Sequence, residues 1–294
     1  MGGVKVVVYG LSTEGYTIAS QMAIKGADVY IIDESTPSAI SLKAEIAKTY
    51  PNVSSLKEDE PLLAMEPIDV AISKAQYLFF TPRIRKTGQD TKTEIHSKFK
   101  DAVKSLKKNS SVIFTLPTGF GGNNENISLL EHVTGFEVGK HISYFYYPLE
   151  DQDKQPEIIG SFNAQEDSKL YDLLTIDKQE KRFVAISSSE HFHAIKILSR
   201  FSSLCSVLEV CKYAQDEITK NDLYSDDFQK IFLDEMVGGL FDIKSLGSSF
   251  EGTNTLMYLI NGSVKGIDSY IKRLIDEIRT TLKKNDLKIF LINY

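Results

Sequence analysis

The residues with the clearest chemical meaning lie near the start of the 294-residue chain, in the segment GLSTEG at positions 10–15. This segment follows an apolar stretch and precedes a helical pattern. Small residues at its first, third and sixth positions allow a tight turn, close approach of a pyrophosphate and close packing of the helix on the strand. The positive end of the helix dipole would face the phosphates. The pattern therefore predicts a dinucleotide site that contains Gly10, Leu11, Ser12 and Gly15.

A carboxylate, Asp33, stands at the end of the next apolar stretch, at the distance expected for a ribose contact. Its oxygens can accept hydrogen bonds from a ribose diol, and its charge would repel a 2′-phosphate. We therefore expect NAD rather than NADP as the cofactor. The alternative is a domain that keeps the shape of such a site without the ligand, because fold and function separate readily.

Lys196 is the best candidate for acid–base chemistry. It lies in a long helical pattern four residues before Arg200, so the two cations would share one helix face and could bind an anionic group. A lysine there could donate or accept the proton when a hydride moves to a carbonyl or from an alcohol. The alternative is a surface lysine that makes ordinary helix pairs. His191 and His193 flank Phe192 and lack the spacing of metal ligands, so no metal is expected.

The composition argues against several classes of protein. The net charge is −6 and the basic residues are scattered, which argues against a nucleic-acid partner. No apolar run approaches the roughly 20 residues that span a bilayer, and the N-terminus lacks the pattern of a secretion signal. Cys205 and Cys211 lie in one predicted helix, face different directions and are interpreted as core thiols. We therefore expect a cytoplasmic protein, without a membrane partner, that acts on a small molecule.

Strand and helix patterns alternate through the first half of the chain. Strands are predicted at residues 5–9, 28–32, 75–81, 111–116 and 142–147, and helices at 15–25, 38–49, 92–106 and 127–133. Such alternation is typical of an α/β protein with a doubly wound, mostly parallel Rossmann sheet and helices on both faces. We assign this dinucleotide-binding domain to residues 1–185. Its ligands should collect outside the carboxyl ends of the strands, at the topological switch point.

The pattern becomes helical from about residue 186. Residues 187–190 (SSSE) predict an N-cap and acidic first turn, and a long helix then extends to about residue 213. Further helices are predicted at residues 225–236, 253–261 and 267–284, with a strand at 287–294 and a solvated turn earlier at 178–182. The terminal strand either pairs with a sheet or begins a further domain. We interpret residues 186–294 as an α-helical substrate and dimerisation domain that ends in this strand.

Four motifs, in the same order and spacing, resemble the UDP-glucose/GDP-mannose dehydrogenase family over roughly residues 4–215. They are the glycine turn with Tyr16, the strand end LFFTP at 78–82, the strand end FTLPTGF at 114–120 and the segment YFYYPLE at 144–150. The resemblance implies that Thr81, Pro82 and Thr115 lie beside the cofactor, with Thr115 near the nicotinamide end. Because related families build a dimer on the long helix after the Rossmann domain, it also implies a homodimer.

The catalytic residues of that family are matched less well. Its cysteine nucleophile has no counterpart in residues 238–244 (GGLFDIK), and His193 and Arg200 stand where the family has glutamate and asparagine. Only residues 286–294 resemble its C-terminal domain. We therefore expect a two-electron, NAD-dependent dehydrogenase or reductase of this lineage, acting on a hydroxyl or carbonyl substrate that could be anionic.

Two alternatives remain open. One is a non-catalytic paralogue that binds NAD or a nucleotide and has a regulatory or assembly role, which the replaced residues favour. The other is a 3-hydroxyacid or 6-phosphogluconate type of dehydrogenase, which would share the Rossmann domain, the long helix and the lysine. The loop after Leu116 lacks the Ser-Gly-Gly that this second alternative requires.

Overall fold

The structure is a computed structural model that describes residues 3–59, 61–84, 89–149, 157–174, 181–210, 213, 243–249 and 255–284. The chain divides into two compact units, Met1–His193 and Ala194–Tyr294. This division falls inside a long helix, whereas the sequence places the domain boundary just before that helix. No helix in the described parts of the chain is long and apolar enough to cross a membrane.

The first unit is built on a nine-stranded sheet in the order β4-β3-β2-β1-β5-β6-β7-β8-β9. The strands are β1 (Lys5–Tyr9), β2 (Asp28–Ile32), β3 (Ser38–Leu42), β4 (Met65–Pro67), β5 (Tyr77–Phe80), β6 (Ser111–Phe114), β7 (Ser143–Tyr146), β8 (Glu157–Ser161) and β9 (Lys181–Ala185). The five central strands β2, β1, β5, β6 and β7 are parallel, and β8 is antiparallel to β7. The predicted α/β class and mostly parallel sheet are confirmed.

Helices cover both faces of this sheet. They are α1 (Thr13–Ile24), α2 (Ala44–Thr49), α3 (Val53–Asp59), α4 (Ile68–Lys74), α5 (Gln89–Val103), α6 (Gly122–Thr134), α7 (Ser168–Leu174), α8 (Ile186–Val210) and α9 (Thr255–Lys284). Side chains alternate along each strand, so Val6 and Val8 of β1 pack on the face covered by α1, α2, α3 and α7, while Val7 and Tyr9 pack on the face covered by α4, α5 and α6. The sheet is therefore doubly wound, as predicted.

The single helix predicted at residues 38–49 is wrong for its first half, which forms β3. This strand is antiparallel to both β2 and β4 and fills the space between them. Ile40 and Leu42 enter the α1 face of the core and Ala39 enters the opposite face. This segment carries apolar residues for both faces of the sheet. As an inserted strand it buries all of them, whereas a helical turn would bury only one side.

Three further predictions need correction. The solvated turn predicted at residues 178–182 is wrong for its last two residues, because Lys181, which is buried and paired with Glu157, begins β9, while residues 178–180 lie outside the described residues. The long helix α8 begins at Ile186, directly after β9, so Ser187 lies inside the helix instead of capping it. The two helices predicted within 253–284 are one continuous helix, α9. The predictions for residues 225–236 and 287–294 lie outside the described residues.

Candidate functional site

The glycine turn between β1 and α1 has the tight geometry that its sequence predicts. Gly10 has a φ of +123°, which L side chains rarely adopt, and a Cβ there would lie 2.0 Å from the main-chain oxygen of Thr81. A Cβ on Gly15 would lie 2.2 Å from the oxygen of Gly10. Leu11, between them, packs against the core on the α1 face. The turn thus holds the start of α1 against the end of β1 and the loop after β5.

Ser12 caps helix α1. Its Oγ accepts a hydrogen bond from the N–H of Gly15 at 3.0 Å and donates one to the oxygen of Thr81 at 3.3 Å. The hydroxyl is therefore turned into the protein, where it helps to hold the turn. The N–H groups of Thr13 and Glu14 have no intrahelical acceptor, because they lie in the first turn. The turn consequently offers main-chain donors at the positive end of a 12-residue helix.

Asp33 lies directly after β2, half-buried, at the same edge of the sheet. Its Oδ1 accepts hydrogen bonds from the N–H and the hydroxyl of Ser35, at 2.9 and 2.7 Å. These bonds fix the carboxylate in a local turn. An ionised carboxylate has about four lone-pair sites, so capacity remains for a ribose diol.

Thr81, Pro82 and Thr115 are buried at the ends of β5 and β6. The hydroxyl of Thr81 donates to the oxygen of Tyr9 at 3.2 Å, and that of Thr115 donates to the oxygen of Phe80 at 2.7 Å. Since β1, β5 and β6 are adjacent and parallel, all the cofactor residues predicted from the sequence gather at one edge. After β1 the chain continues into α1 on one face of the sheet, and after β5 it continues into α5 on the opposite face. This edge therefore contains the topological switch point.

A polar clasp, formed by Glu34, Arg83 and Lys98, joins the loop after β2 to the loop after β5. Glu34 accepts from the main-chain N–H of Arg83 at 2.9 Å and pairs with Lys98 at 2.5 Å, while Lys98 donates to the oxygen of Arg83 at 2.6 Å. Burial, with Glu34 and Asp101 nearby, raises the pKa of Tyr9 to about 12. This clasp could not be predicted from the sequence, because Glu34, Arg83 and Lys98 are far apart in the chain.

Glu190 binds the loop after β6, another contact that the sequence does not predict. Its Oε2 accepts from the N–H of Gly121 at 2.8 Å, and its Oε1 accepts from the N–H and side-chain amide of Asn123 at 3.1 and 2.7 Å. Gly121, with a φ of +71°, is the N-cap residue of α6. The segment 119–124 is therefore a helix-entry turn whose donors are bound by a carboxylate of the same chain.

Lys196 lies on α8, partly buried, four residues before Arg200. It belongs to the C-terminal compact unit, whereas every predicted cofactor residue belongs to the first. Its catalytic role therefore stays a prediction. His193, in the first unit, is buried with its ring edge-on to Tyr146. Among the described residues, no cluster of His, Cys, Asp and Glu could hold a metal ion.

A cavity of about 520 Å³ lies at the other edge of the sheet, where β5, β6 and β7 begin. Tyr77, Ser111 and Ser143 are among the residues that line it. Because ligands of doubly wound sheets bind at the carboxyl ends of the strands, this cavity is separate from the predicted cofactor site.

Comparison with solved structures relates this architecture to dehydrogenases. UDP-D-ManNAc dehydrogenase from Pyrococcus horikoshii is similar over 96% of this chain and 72% of its own, with a TM-score of 0.64 and 16% identity. UDP-glucose dehydrogenase from Pyrobaculum islandicum is also similar over 96% of this chain and 72% of its own, with a TM-score of 0.63 and 13% identity. The chain has a nucleotide-sugar dehydrogenase fold. The resemblance seen in the four sequence motifs is thus confirmed for the fold.

A further structure with a comparable fold is Psf3 in complex with NADP⁺ and 2-OPP. It is similar over 90% of this chain and 93% of its own, with a TM-score of 0.56 and 13% identity. No protein-family model and no curated protein matches the chain. The nucleotide-sugar dehydrogenase fold is therefore established by structure and not by sequence similarity.

Proposed function

We propose that this protein binds NAD at the edge formed by the glycine turn, Asp33, Thr81, Pro82 and Thr115. The observation that carries the proposal is the glycine turn itself, which sits at the switch point of a doubly wound sheet and presents the N-terminus of α1. The residues fit a dinucleotide, because helix N–H groups and a carboxylate lie on neighbouring strands. Pyrophosphate and ribose need these two kinds of partner.

The preference for NAD over NADP follows from charge. Asp33 stands where the adenosine ribose would lie, and a carboxylate there repels a 2′-phosphate. Glu34 is the next residue, and its charge is offset by Lys98 at 2.5 Å. Among the residues that the structure describes, no cation pairs with Asp33, and its carboxylate therefore supports NAD, although Psf3, which has a comparable fold, was solved with NADP⁺.

We further propose that the protein is a dehydrogenase or reductase that transfers two electrons between the cofactor and a hydroxyl or carbonyl substrate. The bound nicotinamide supplies or accepts the hydride. Lys196 is assigned the role of proton donor or acceptor to the substrate oxygen, with Arg200 one helical turn further on for an anionic group. No step requires a cysteine, in accord with the sequence of residues 238–244.

The catalytic role of Lys196 is tested by turnover. Wild-type protein should change the absorbance of the reduced nicotinamide with at least one member of a panel of alcohols, 2-hydroxy acids, aldehydes and sugar nucleotides. Lys196→Met should lower kcat at least about a hundredfold, since general acid–base catalysis contributes roughly 10² to 10⁴. Lys265→Met, at an exposed lysine of α9, is the matched control and should keep full activity. Full turnover by Lys196→Met would remove the assignment.

A second candidate function is that of a non-catalytic NAD-binding subunit. It is favoured by His193, which is buried against Tyr146 at a position where the resembled family has a glutamate. For this candidate, NADH binds with an affinity that Lys196→Met leaves unchanged, and no substrate in the panel is turned over.

We also propose a homodimer, by analogy with families that dimerise through the long helix after a Rossmann domain. In this chain the corresponding helix is α8, with 25 residues. Sedimentation equilibrium should give twice the 33.0 kDa mass of one chain, and the mass of a single chain at all concentrations would contradict the proposal.

A further inference from the structure

Glu190 is a buried carboxylate that the proposed chemistry does not use. Its side chain is on α8, and the residue is only 5% exposed. All three of its hydrogen bonds described above come from Gly121 and Asn123, at the start of α6. Charged groups are costly to bury unless they are satisfied in this way. The carboxylate also sits at the positive end of a 13-residue helix, where negative charge is favoured.

The donors around Glu190 are themselves fixed. Asn123 is fully buried, its amide also donates to the hydroxyl of Thr118 at 2.9 Å, and its oxygen accepts from the hydroxyl of Tyr144 at 2.7 Å. Tyr144 lies on β7, and burial raises its pKa well above its usual value. It therefore remains a neutral donor. Glu190 on α8, the start of α6 and strand β7 are consequently joined through one hydrogen-bonded group.

The segment held by this group is the loop that connects β6 to α6, residues 115–121. It starts at Thr115, whose main-chain oxygen also accepts from Leu149 at 3.3 Å. In the sheet order β2-β1-β5-β6, Asp33 lies at the end of β2 and the glycine turn at the end of β1. Strands are spaced about 4.8 Å apart, so a dinucleotide with its adenosine at β2 and its pyrophosphate at β1 extends over β5 towards this loop.

We propose that Glu190 is a positioning residue for the nicotinamide half of the cofactor. It fixes the loop 115–121 and fills the N-terminus of α6, which leaves the N-terminus of α1 as the place for the pyrophosphate. This inference rests on the proposed NAD binding. The two proposals predict different effects, because the role of Glu190 concerns only the nicotinamide half of the cofactor.

The test compares two ligands that share the adenosine half. NADH and ADP-ribose both contact the glycine turn and Asp33, but ADP-ribose lacks the nicotinamide. Glu190→Gln keeps the shape and one acceptor oxygen, and places an NH₂ group against the N–H of Gly121 or of Asn123. Its affinity for NADH, measured by calorimetry, should fall about tenfold, the effect of losing one charge-assisted hydrogen bond. Its affinity for ADP-ribose should stay within about twofold of wild type.

Two further variants support the comparison. Glu125→Gln is the matched control, because Glu125 is an exposed carboxylate in the first turn of α6 that pairs with Lys92 at the surface. It should bind both ligands as wild type does. Thr118→Val removes one acceptor of Asn123 without touching Glu190, and should weaken NADH binding about threefold while sparing ADP-ribose.

The outcomes separate this inference from the proposed function. If wild-type protein binds neither ligand, NAD binding itself is refuted and the inference with it. Suppose that wild type binds both ligands, and that Glu190→Gln either weakens both equally or weakens neither. The positioning role is then wrong, and NAD binding stands. A selective loss of NADH by Glu190→Gln and Thr118→Val confirms it. Because ADP-ribose binding requires an intact sheet edge, it also reports that each variant is folded.

Discussion

At the residue scale, Asp33 is the side chain that should decide which dinucleotide the protein accepts. Asp33→Asn keeps the size and one acceptor but removes the negative charge. We expect the ratio of NADH to NADPH affinity to fall about tenfold, since relief of one like-charge contact near the surface is of the order of 1 kcal/mol. Fluorescence titration with each reduced nucleotide measures this ratio.

The matched control for this prediction is Asp69→Asn. Asp69 is an exposed carboxylate on α4 that accepts a hydrogen bond from Ser105 at 2.9 Å. Its substitution makes the same change in net charge away from the proposed site. An unchanged ratio in Asp33→Asn, or an equal change in both variants, would show that Asp33 does not select the cofactor.

Residues of the site differ in how far the sequence could predict them. Gly10 and Gly15 could be placed because the turn that needs them is local, and the structure has the backbone and close contacts that the pattern requires. The hydroxyl of Ser12 could not be oriented, since one of its partners is Thr81, which is 69 residues away. Glu190 and the clasp at Glu34 were missed for the same reason. Hydrogen bonds between distant segments leave no periodic signal in the sequence.

At the element scale, the second compact unit contains a close crossing of α8 and α9 that should be sensitive to a single methyl group. A Cβ on Gly266 of α9 would lie 2.2 Å from Sγ of Cys205 on α8, and Ser202 and Ser263 are hydrogen-bonded nearby at 3.3 Å. Gly266→Ala should therefore destabilise the protein by about 1–3 kcal/mol, the usual cost of overpacking. Thermal or urea unfolding measures it.

The same helix provides the control. Gly262, one turn earlier, has open space where a Cβ would be added, so Gly262→Ala should stabilise α9 by about 0.5–1 kcal/mol through helix propensity. Cys205→Ala removes the clashing sulfur and should make Gly266→Ala nearly neutral in the double variant. If Gly266→Ala is as stable as Gly262→Ala, the two helices do not cross as described.

Elements were predicted well where local pattern and tertiary environment agree. Strands β1, β2, β5, β6 and β7 are apolar runs of the kind buried on both faces, and all five were predicted. Strand β3 was not, because its sequence, SAISL, has apolar spacing that also suits a helix, and only its place between β2 and β4 decides the outcome. Strand β9 was hidden by its charged first residues, Lys181 and Arg182. Glu157 supplies the ion-pair partner that the buried Lys181 requires.

At the scale of the whole molecule, the account depends on one claim, that the carboxyl edge of the sheet is a dinucleotide site. The fold is similar to those of two nucleotide-sugar dehydrogenases, and the residues of the glycine turn, β2, β5 and β6 meet at the switch point. The fold could be predicted from the alternating strand and helix patterns of the sequence. The substrate could not, because substrate choice depends on side chains that distant segments bring together. Cofactor binding is therefore the property to measure first.

The most direct measurement is a calorimetric titration of the purified protein with NADH, in the absence and in the presence of saturating ADP-ribose. We predict saturable binding of one NADH per chain that ADP-ribose abolishes by competition, because both ligands need the N-terminus of α1 and Asp33. The absence of binding heat with NADH and with NADPH at several temperatures, or NADH binding that ADP-ribose leaves unchanged, would contradict the account.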